Sequence, residues 1–383
     1  MGEPDSLLHA RIIRQGPVPW SELMRSALYG PGGFYSSGRG AGRTRDFLTS
    51  PELGPLFGAV VARAIDTVWD RCGRPDPWIV VEGGAASGTL AAAVLDASPR
   101  CAPALRYLMV ETSSPLREAA ASRLQLEDPV QILGPAIASG PDRDDLAAER
   151  SVGIGPLVAS LTDLPAEPFV GMVLANELLD NLVFDVYERT TKGWAEVRIG
   201  LGVDGNGLSE VCVQADPLVS DQLTVLAPDA PIGGRVPWQA AARSWVERAL
   251  GVVERGSVIV IDYARPTAEM AAVTQQSWLR TYRAGGAGGS ALARLGELDI
   301  TADVAVDQLP PGCRIVAQAQ WLDGHGLGVL EQAAAGAWER GAATGDLQAL
   351  RARGRLAEAN TLRDPTGLGA FEVLEWTAGG TLD

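Results

Sequence analysis

Histidine and lysine are almost missing from this 383-residue chain: it holds two histidines, His9 and His325, and Lys192 is its single lysine. Histidine is the usual side chain for proton transfer near neutral pH and a frequent metal ligand. With the two so far apart in sequence, neither a histidine base nor a His-rich metal site is expected. Cysteine is sparse and scattered, at Cys72, Cys101, Cys212 and Cys313, which fits neither a disulfide framework nor a zinc site and suggests free thiols in a reducing compartment. No apolar run approaches the ~20 residues needed to cross a bilayer. The start, Met1-Gly2-Glu3-Pro4-Asp5, lacks the basic and apolar regions of a secretion signal, so a soluble cytoplasmic protein is expected, with no membrane partner. Positive charge is also short: Lys plus Arg number 32 against 47 Asp plus Glu, a formal charge of −15. Nucleic-acid grooves rely on clustered Lys and Arg, so no nucleic-acid partner is expected. A basic protein or peptide fits an acidic surface better.

What is present is ample core material. Hydrophobic residues make up 46% of the chain, and its length exceeds the ~250–300 residues at which single cores stop growing. One enlarged domain with insertions, or two close-packed ones, follows. Helical patterning in residues 4–28 breaks at a proline, with Ser21 as a plausible cap for a short second helix. A glycine-rich loop (30–42) leads to Pro51 and a helix through Leu53, Phe57, Val61 and Ile65, for which Ser50 can serve as cap. Trp78–Glu82 is a continuous apolar run ending in an acid, followed by the turn Gly83–Gly88 and a helix. Tyr107–Glu111 with its helix repeats that unit 29 residues on. Such alternation predicts a parallel sheet covered on both faces. Residues 134–155 read as an exposed loop. A further buried strand, 172–175, ends in Asn176-Glu177. Residues 183–190, 194–202 and 208–215 read as short strands joined by Gly and Asp turns, which suits an antiparallel insertion. The parallel theme resumes at 258–263, and late strands near 314–318 and 371–376 flank a helical stretch at 328–361. The expected organisation is an N-terminal helical and flap region (1–75), a doubly wound Rossmann-like α/β domain (76–182 and 256–383), and an inserted substrate-binding portion (183–255).

In open α/β sheets ligands bind outside the carboxyl ends of the strands. Here those ends carry Glu82, Glu111 and Asp262, with Asn176-Glu177 at a fourth. A dinucleotide fingerprint would need glycine at 83, 85 and 88, but Ala85 interrupts it, and a phosphate-binding P-loop would need lysine where Thr89 stands. Glu82 would also repel a phosphate. S-adenosylmethionine carries a sulfonium, an ammonium and a ribose diol and no phosphate, so carboxylates beside a glycine turn suit it. Gly84 and Gly88 would let the backbone approach the ligand, and Glu111 would accept hydrogen bonds from the ribose hydroxyls. The plainer alternatives are an ordinary tight turn and a solvated strand end.

Several segments together resemble the NDUFAF7/MidA family of class I methyltransferases: MRSALYGPGGFY (24–35), DFLTSPELGPLFG (46–58), Glu82 through Leu90, NELLDNL (176–182), Asp262-Tyr263 and Asp299-Ile300-Thr301-Ala302. They follow the family's order across roughly residues 21–325. The resemblance implies a class I Rossmann-like fold, S-adenosylmethionine as cofactor and, from the mitochondrial members, methylation of a protein arginine during complex I assembly. It also implies a flap over the cofactor carrying Tyr29, Tyr35, Asp46 and Glu52. Thr49, Ser50 and Glu52 are read on its cofactor side, and Tyr29, Tyr35 and Asp46, with Asp262, on its substrate side. Packing for the tyrosines and a helix cap for 49–52 are the alternatives. The chain departs from the family where Ala85 and Ala86 replace a proline and a glycine in the turn, and at Val183, Ala264 and Asp303. The added methyl at Ala86 is expected to crowd the ligand.

An arginine guanidinium stays protonated and needs acceptors before it can attack a methyl group. Asn176, Glu177 and Asp180 are the candidates for this catalytic role, read on a helix after the fourth strand with 176 and 180 one turn apart; a helix N-cap is the alternative. Two other functions stay open, a small-molecule methyltransferase and a catalytically silent cofactor-binding assembly factor.

Overall fold

The computed structural model describes residues 2–39, 49–133, 153–203, 207–283, 286–343 and 345–379. Two compact units share the chain. One comprises Leu48–Glu177, Arg248–Ile261 and Gly312–Asp383; the other comprises Met1–Phe47, Leu178–Glu247 and Asp262–Pro311. This grouping differs from the sequence expectation. The N-terminal 1–75 is divided at Phe47, and 262–311 groups with the insertion instead of with the sheet.

The first unit is the doubly wound one. Its strands are β1 (Trp78–Gly83), β2 (Leu105–Val110), β3 (Leu157–Leu161), β4 (Phe169–Asn176), β5 (Val253–Asp262), β6 (Arg314–Ala317) and β7 (Glu372–Ala378). They lie in the order β6-β7-β5-β4-β1-β2-β3. β5 runs parallel to β4, β4 to β1, β1 to β2 and β2 to β3, while β6 and β7 are antiparallel. The runs read as apolar are indeed buried, Val80, Val81, Tyr107, Leu108, Met172 and Val173 among them, as a sheet covered on both faces requires. From β1 the chain steps outward through β2 and β3, then returns to the opposite side of β1 with β4. The β1/β4 junction is therefore the topological switch point, where open α/β sheets bind ligands.

Helix Pro55–Arg71 buries Leu56, Phe57, Val60, Val61, Ala64, Ile65 and Val68, the spacing of an amphipathic helix. Gly58 has no room for a Cβ because Ala93, on the helix Thr89–Asp96, lies directly against it. The cap expected from Ser50 takes another form. Ser50–Leu53 is a separate short helix with Thr49 at its N-cap. The long helix, starting at Pro55, is instead capped by Glu358, whose Oε1 accepts from Leu56 N (2.6 Å) and Phe57 N (3.2 Å). The late helical stretch is two helices, Leu327–Gly341 and Leu347–Arg363, and Asp346 caps the second by accepting from Ala349 N at 2.8 Å.

The second unit contains the antiparallel strands expected of the insertion. Asp185–Thr190 pairs with Gly193–Leu201, which pairs with Leu208–Gln214; Arg235–Trp238 adds to the first. A smaller sheet joins Leu279–Arg283 to Asp299–Ala302. Trp20, Met24, Leu28, Phe34, Phe184, Val197, Val236 and Trp278 build its core. The cap expected at Ser21 is not found: helix Trp20–Met24 begins one residue earlier, and Ser21 N donates to Asp185 Oδ1 at 2.9 Å. Most of the loop expected at 134–155, all of Asp204-Gly205-Asn206, and Asp46 lie outside the described residues. Among the described residues no helix is long and apolar enough to cross a membrane.

Candidate functional site

In the doubly wound unit, β1 ends in Glu82 and Gly83 and gives way to a turn in which every second residue is left-handed: Gly84 (φ +68°), Ala86 (φ +46°) and Gly88 (φ +72°). Glycine at 84 and 88 reaches this region without strain; alanine at 86 does not. A Cβ on Gly88 would press on Met109 Sδ at 3.2 Å, so that residue is fixed by packing as well as by φ. Glu111, just past β2, closes the turn. Its Oε2 accepts from Ala86 N (3.0 Å) and its Oε1 from Ser113 N (2.7 Å). Burial pushes the Glu111 carboxyl above its ordinary value, and these N–H donors pull the other way.

Glu82 is only 4% exposed, and its Oε2 accepts from Tyr107 OH at 2.8 Å. Desolvation raises its pKa to about 8; the tyrosine hydrogen bond opposes the rise and the charge of Glu111 adds to it. A buried carboxyl with no cationic partner among the described residues behaves this way. Neither Tyr107 nor Thr89 was singled out from sequence as a ligand-side residue. Thr89 Oγ1 donates to Glu52 Oε1 at 2.8 Å and also receives a hydrogen bond from Arg123. Glu52 is thus tied to the turn, and Ser50 N approaches Glu177 Oε1 at 3.4 Å. Thr49 is buried, with its carbonyl accepting from Glu52 N at 3.0 Å. Thr49, Ser50, Glu52, Glu82, Gly84, Gly88 and Glu111 therefore all belong to one unit, and so do Asn176 and Glu177.

The helix expected at 176–180 is absent, and with it the helix-cap alternative. Asn176 is the last residue of β4, Glu177 turns left-handed (φ +52°) with its N donating to Ile261 O (2.8 Å), and Leu179–Asn181 is a single 3-10 turn. A left-handed residue breaks α-helical geometry at its first position, so 176 and 180 do not share a helix face. Asn176 Nδ2 donates to Glu177 Oε1 at 3.0 Å, while its Oδ1 is buried with no hydrogen-bond partner among the described residues. Such an acceptor is costly unless something else supplies a donor. The carboxyl groups of Glu52, Glu111 and Glu177, the raised-pKa carboxyl of Glu82, a buried amide oxygen and glycine-permitted backbone suit a cationic ligand bearing a diol and an ammonium. They do not suit a phosphate.

Asp180, Asp262, Tyr29 and Tyr35 belong to the other unit. Asp262 is fully buried and acts on backbone: Oδ2 accepts from Leu179 N (2.9 Å) and Asp180 N (3.3 Å), and Oδ1 from Tyr263 N (2.9 Å). Asp180 is 4% exposed, and its carboxyl is held well above the usual range by burial, then by Asp262 and Asp299. Tyr29 and Tyr35 stack with centroids 5.7 Å apart and donate to Asn181 O (3.0 Å) and Asp299 Oδ1 (2.9 Å). Asp303, one of the positions at which the chain departs from the family it resembles, is buried between Arg265 (2.5 Å) and Arg280 (2.6 Å).

The chain is 27% identical to a COG1565 superfamily protein from Burkholderia thailandensis whose crystal structure contains S-adenosyl-homocysteine; the match covers 98% of this chain and 92% of that one, with a TM-score of 0.76. It is 38% identical over 119 residues to the protein arginine methyltransferase NDUFAF7 homolog of Drosophila melanogaster, covering 30% of this chain and 27% of that protein. It is 28% identical over 247 residues to the Bos taurus protein arginine methyltransferase NDUFAF7, covering 62% of this chain and 51% of that protein. The chain thus spans about half, or less, of the curated relatives it matches. Those relatives are named as mitochondrial proteins, which overturns the expectation of a simple cytoplasmic location. The model of the family described as "Putative S-adenosyl-L-methionine-dependent methyltransferase" matches residues 60–322. By that match, over more than half of its length, and on a doubly wound class I sheet with an acid-flanked glycine turn at the switch point, this chain belongs to that methyltransferase family.

Proposed function

We propose that this protein is an S-adenosylmethionine-dependent methyltransferase whose acceptor is an arginine of a protein. The observation that carries the cofactor half is the pairing of Glu111 with the Gly84–Gly88 turn at the β1/β4 switch point. Glu111 would exchange its hold on Ala86 N for ribose hydroxyls, and Glu82, Asn176 and the turn backbone would surround the cationic part. The S-adenosyl-homocysteine of the Burkholderia thailandensis protein supports this reading. When bound, S-adenosylmethionine supplies a methyl group on a sulfonium, a good leaving group. This chain's residues then have to orient the acceptor nitrogen, exclude water and take one proton.

The names of the curated relatives support arginine as acceptor. Acceptor recognition is assigned to Asn176, Glu177 and Asp180. Each offers oxygen to a guanidinium that remains charged until held; burial, then Asp262 and Asp299, hold the Asp180 carboxyl above its ordinary value, and an incoming cation would favour its charged form. Changing Glu177 to Gln or Asp180 to Asn keeps size and removes charge. For whichever carboxylate contacts the reacting nitrogen, turnover is expected to fall roughly 100-fold, about 2.7 kcal/mol, with cofactor affinity little changed. Calorimetry with S-adenosylmethionine, followed by tritiated-methyl transfer into a protein extract of the same organism, tests both halves. Binding without transfer in any fraction would reject the enzymatic reading, and label only in small molecules would reject the protein acceptor.

A further inference from the structure

Asp180 and Arg280 belong to the same unit, and the charge of Arg280 acts on the Asp180 carboxyl. They are complementary, yet neither satisfies the other. Asp180 Oδ1 and Arg280 Nη1 are both shielded from solvent, and neither atom has a hydrogen-bond partner among the described residues. A buried acceptor and a buried charged donor left unmade are costly, and closing Arg280 onto Asp180 would remove both costs together. Arg280 is held elsewhere. Its Nη2 lies 2.6 Å from Asp303 Oδ1 and donates to Ser277 O at 3.5 Å, while its guanidinium rests over the Tyr263 ring, 4.8 Å from the centroid. Asp303 is itself fixed in place. It is 1% exposed, its other carboxyl oxygen lies 2.5 Å from Arg265 Nε, its N donates to Trp278 O (2.8 Å) and its carbonyl accepts from Gln239 Nε2 (3.1 Å).

A clamp needed for packing alone would not require an acid, because a buried ion pair is seldom more stable than well-packed apolar residues of similar volume. This one also leaves a donor and an acceptor unsatisfied nearby. Arg280 is, moreover, a resident arginine close to the carboxyl assigned to the acceptor arginine, and it carries the same guanidinium. We propose that Asp303 is a positioning residue that acts by restraint: it holds Arg280 back from Asp180, so that this carboxyl stays open to the guanidinium of the acceptor. The inference rests on the acceptor role given to Asp180 above. It gives a function to a position at which the chain departs from the family it resembles, and it makes Arg280 a competitor for the site.

The test measures tritiated-methyl transfer from S-adenosylmethionine into the organism's own protein extract, using the full chain. Asp303→Asn keeps size and loosens the hold on Arg280. If Arg280 then covers Asp180 in about four molecules of five, the extract concentration that half-saturates transfer rises about fivefold, with the limiting rate and cofactor affinity unchanged. Combining Asp303→Asn with Arg280→Met removes the competitor and is expected to restore the parent concentration. Arg280→Met alone should match the parent or fall below it. A merely structural role for Asp303 predicts no such rescue, since the second substitution removes a further buried contact. Parent-like behaviour of Asp303→Asn overturns the inference, as does a double variant no better than Asp303→Asn. If Asp303→Asn does not fold, Arg280→Met decides: a raised half-saturating concentration shows that Arg280 helps to hold the acceptor and overturns the inference, whereas a parent-like or lower one supports it. Should Asp180→Asn use the extract as the parent does, the acceptor reading of Asp180 fails and takes the inference with it. Should Asp180→Asn be impaired while Asp303→Asn matches the parent, the restraint alone fails.

Discussion

At the scale of single residues, the glycine turn holds one residue that its backbone does not favour. Ala86 adopts φ +46°, a region that costs an L-residue about 1–2 kcal/mol. Ala86→Gly is accordingly expected to stabilise the protein by about 1 kcal/mol in urea unfolding and to tighten S-adenosylmethionine binding or leave it unchanged. A clear loss of affinity would mean that the alanine methyl packs on the ligand. Glu111→Ala should weaken cofactor binding by roughly 1.5–3 kcal/mol, the range for a hydrogen bond to a charged group; calorimetry giving the parent affinity would remove Glu111 from the site. Glu82 makes a prediction about pH. Its folded-state pKa, about 8, lies above the ordinary 4.5, so the folded protein keeps a proton that the unfolded chain gives up. The stability this contributes is fully present below about 4.5 and is lost as pH rises towards about 8. Urea midpoints of the parent should decline across that window, and those of Glu82→Gln should decline less.

At the scale of elements, the start of helix Pro55–Arg71 depends on a side chain about 300 residues away. Glu358→Ala would leave Leu56 N and Phe57 N without their buried carboxylate and is expected to cost about 1–3 kcal/mol, with Glu358→Gln, which keeps one acceptor oxygen, costing less. Equal midpoints for all three proteins would show that solvent caps the helix. This contact marks the boundary of what sequence reveals. The helix was legible because Phe57, Val61 and Ile65 repeat at its period, and β1 and β2 because apolar runs end in Glu82 and Glu111. The cap was not, since nothing near Pro55 encodes a partner on the helix Leu347–Arg363. Glu177 misled for a local reason. Asn-Glu after a strand reads as a helix start, yet Glu177 N hydrogen-bonds to Ile261 O of the neighbouring strand and turns left-handed, and that register is set by pairing between distant segments. Asp299 was visible within a family segment, but its grip on Tyr35 and Asn181 joins residues more than 100 positions apart.

On the scale of the whole molecule, each unit is assembled from three separate stretches of chain. Sequence periodicity identified the kinds of element but not these groupings, because a boundary such as Glu177–Leu178 falls inside a continuous motif. Residues 48–177 expressed alone would carry β1–β4 and leave the edge of β4 that pairs with β5 unsatisfied. Exposed edges of apolar strands template association, so this fragment should elute as aggregate in size-exclusion chromatography; a folded monomer would show that the sheet closes without β5. The same discontinuity has a consequence in time. Phe169 of β4 pairs with Val253 of β5, and at the ~5–20 residues per second of protein synthesis the partner emerges about 4–17 s later. For that interval a newborn chain presents the middle of its future sheet as a bare edge while the strands of the other unit are being made. This ties the yield of active protein in the cell to how fast the ribosome moves between residues 178 and 253, and to whatever shields the β4 edge meanwhile.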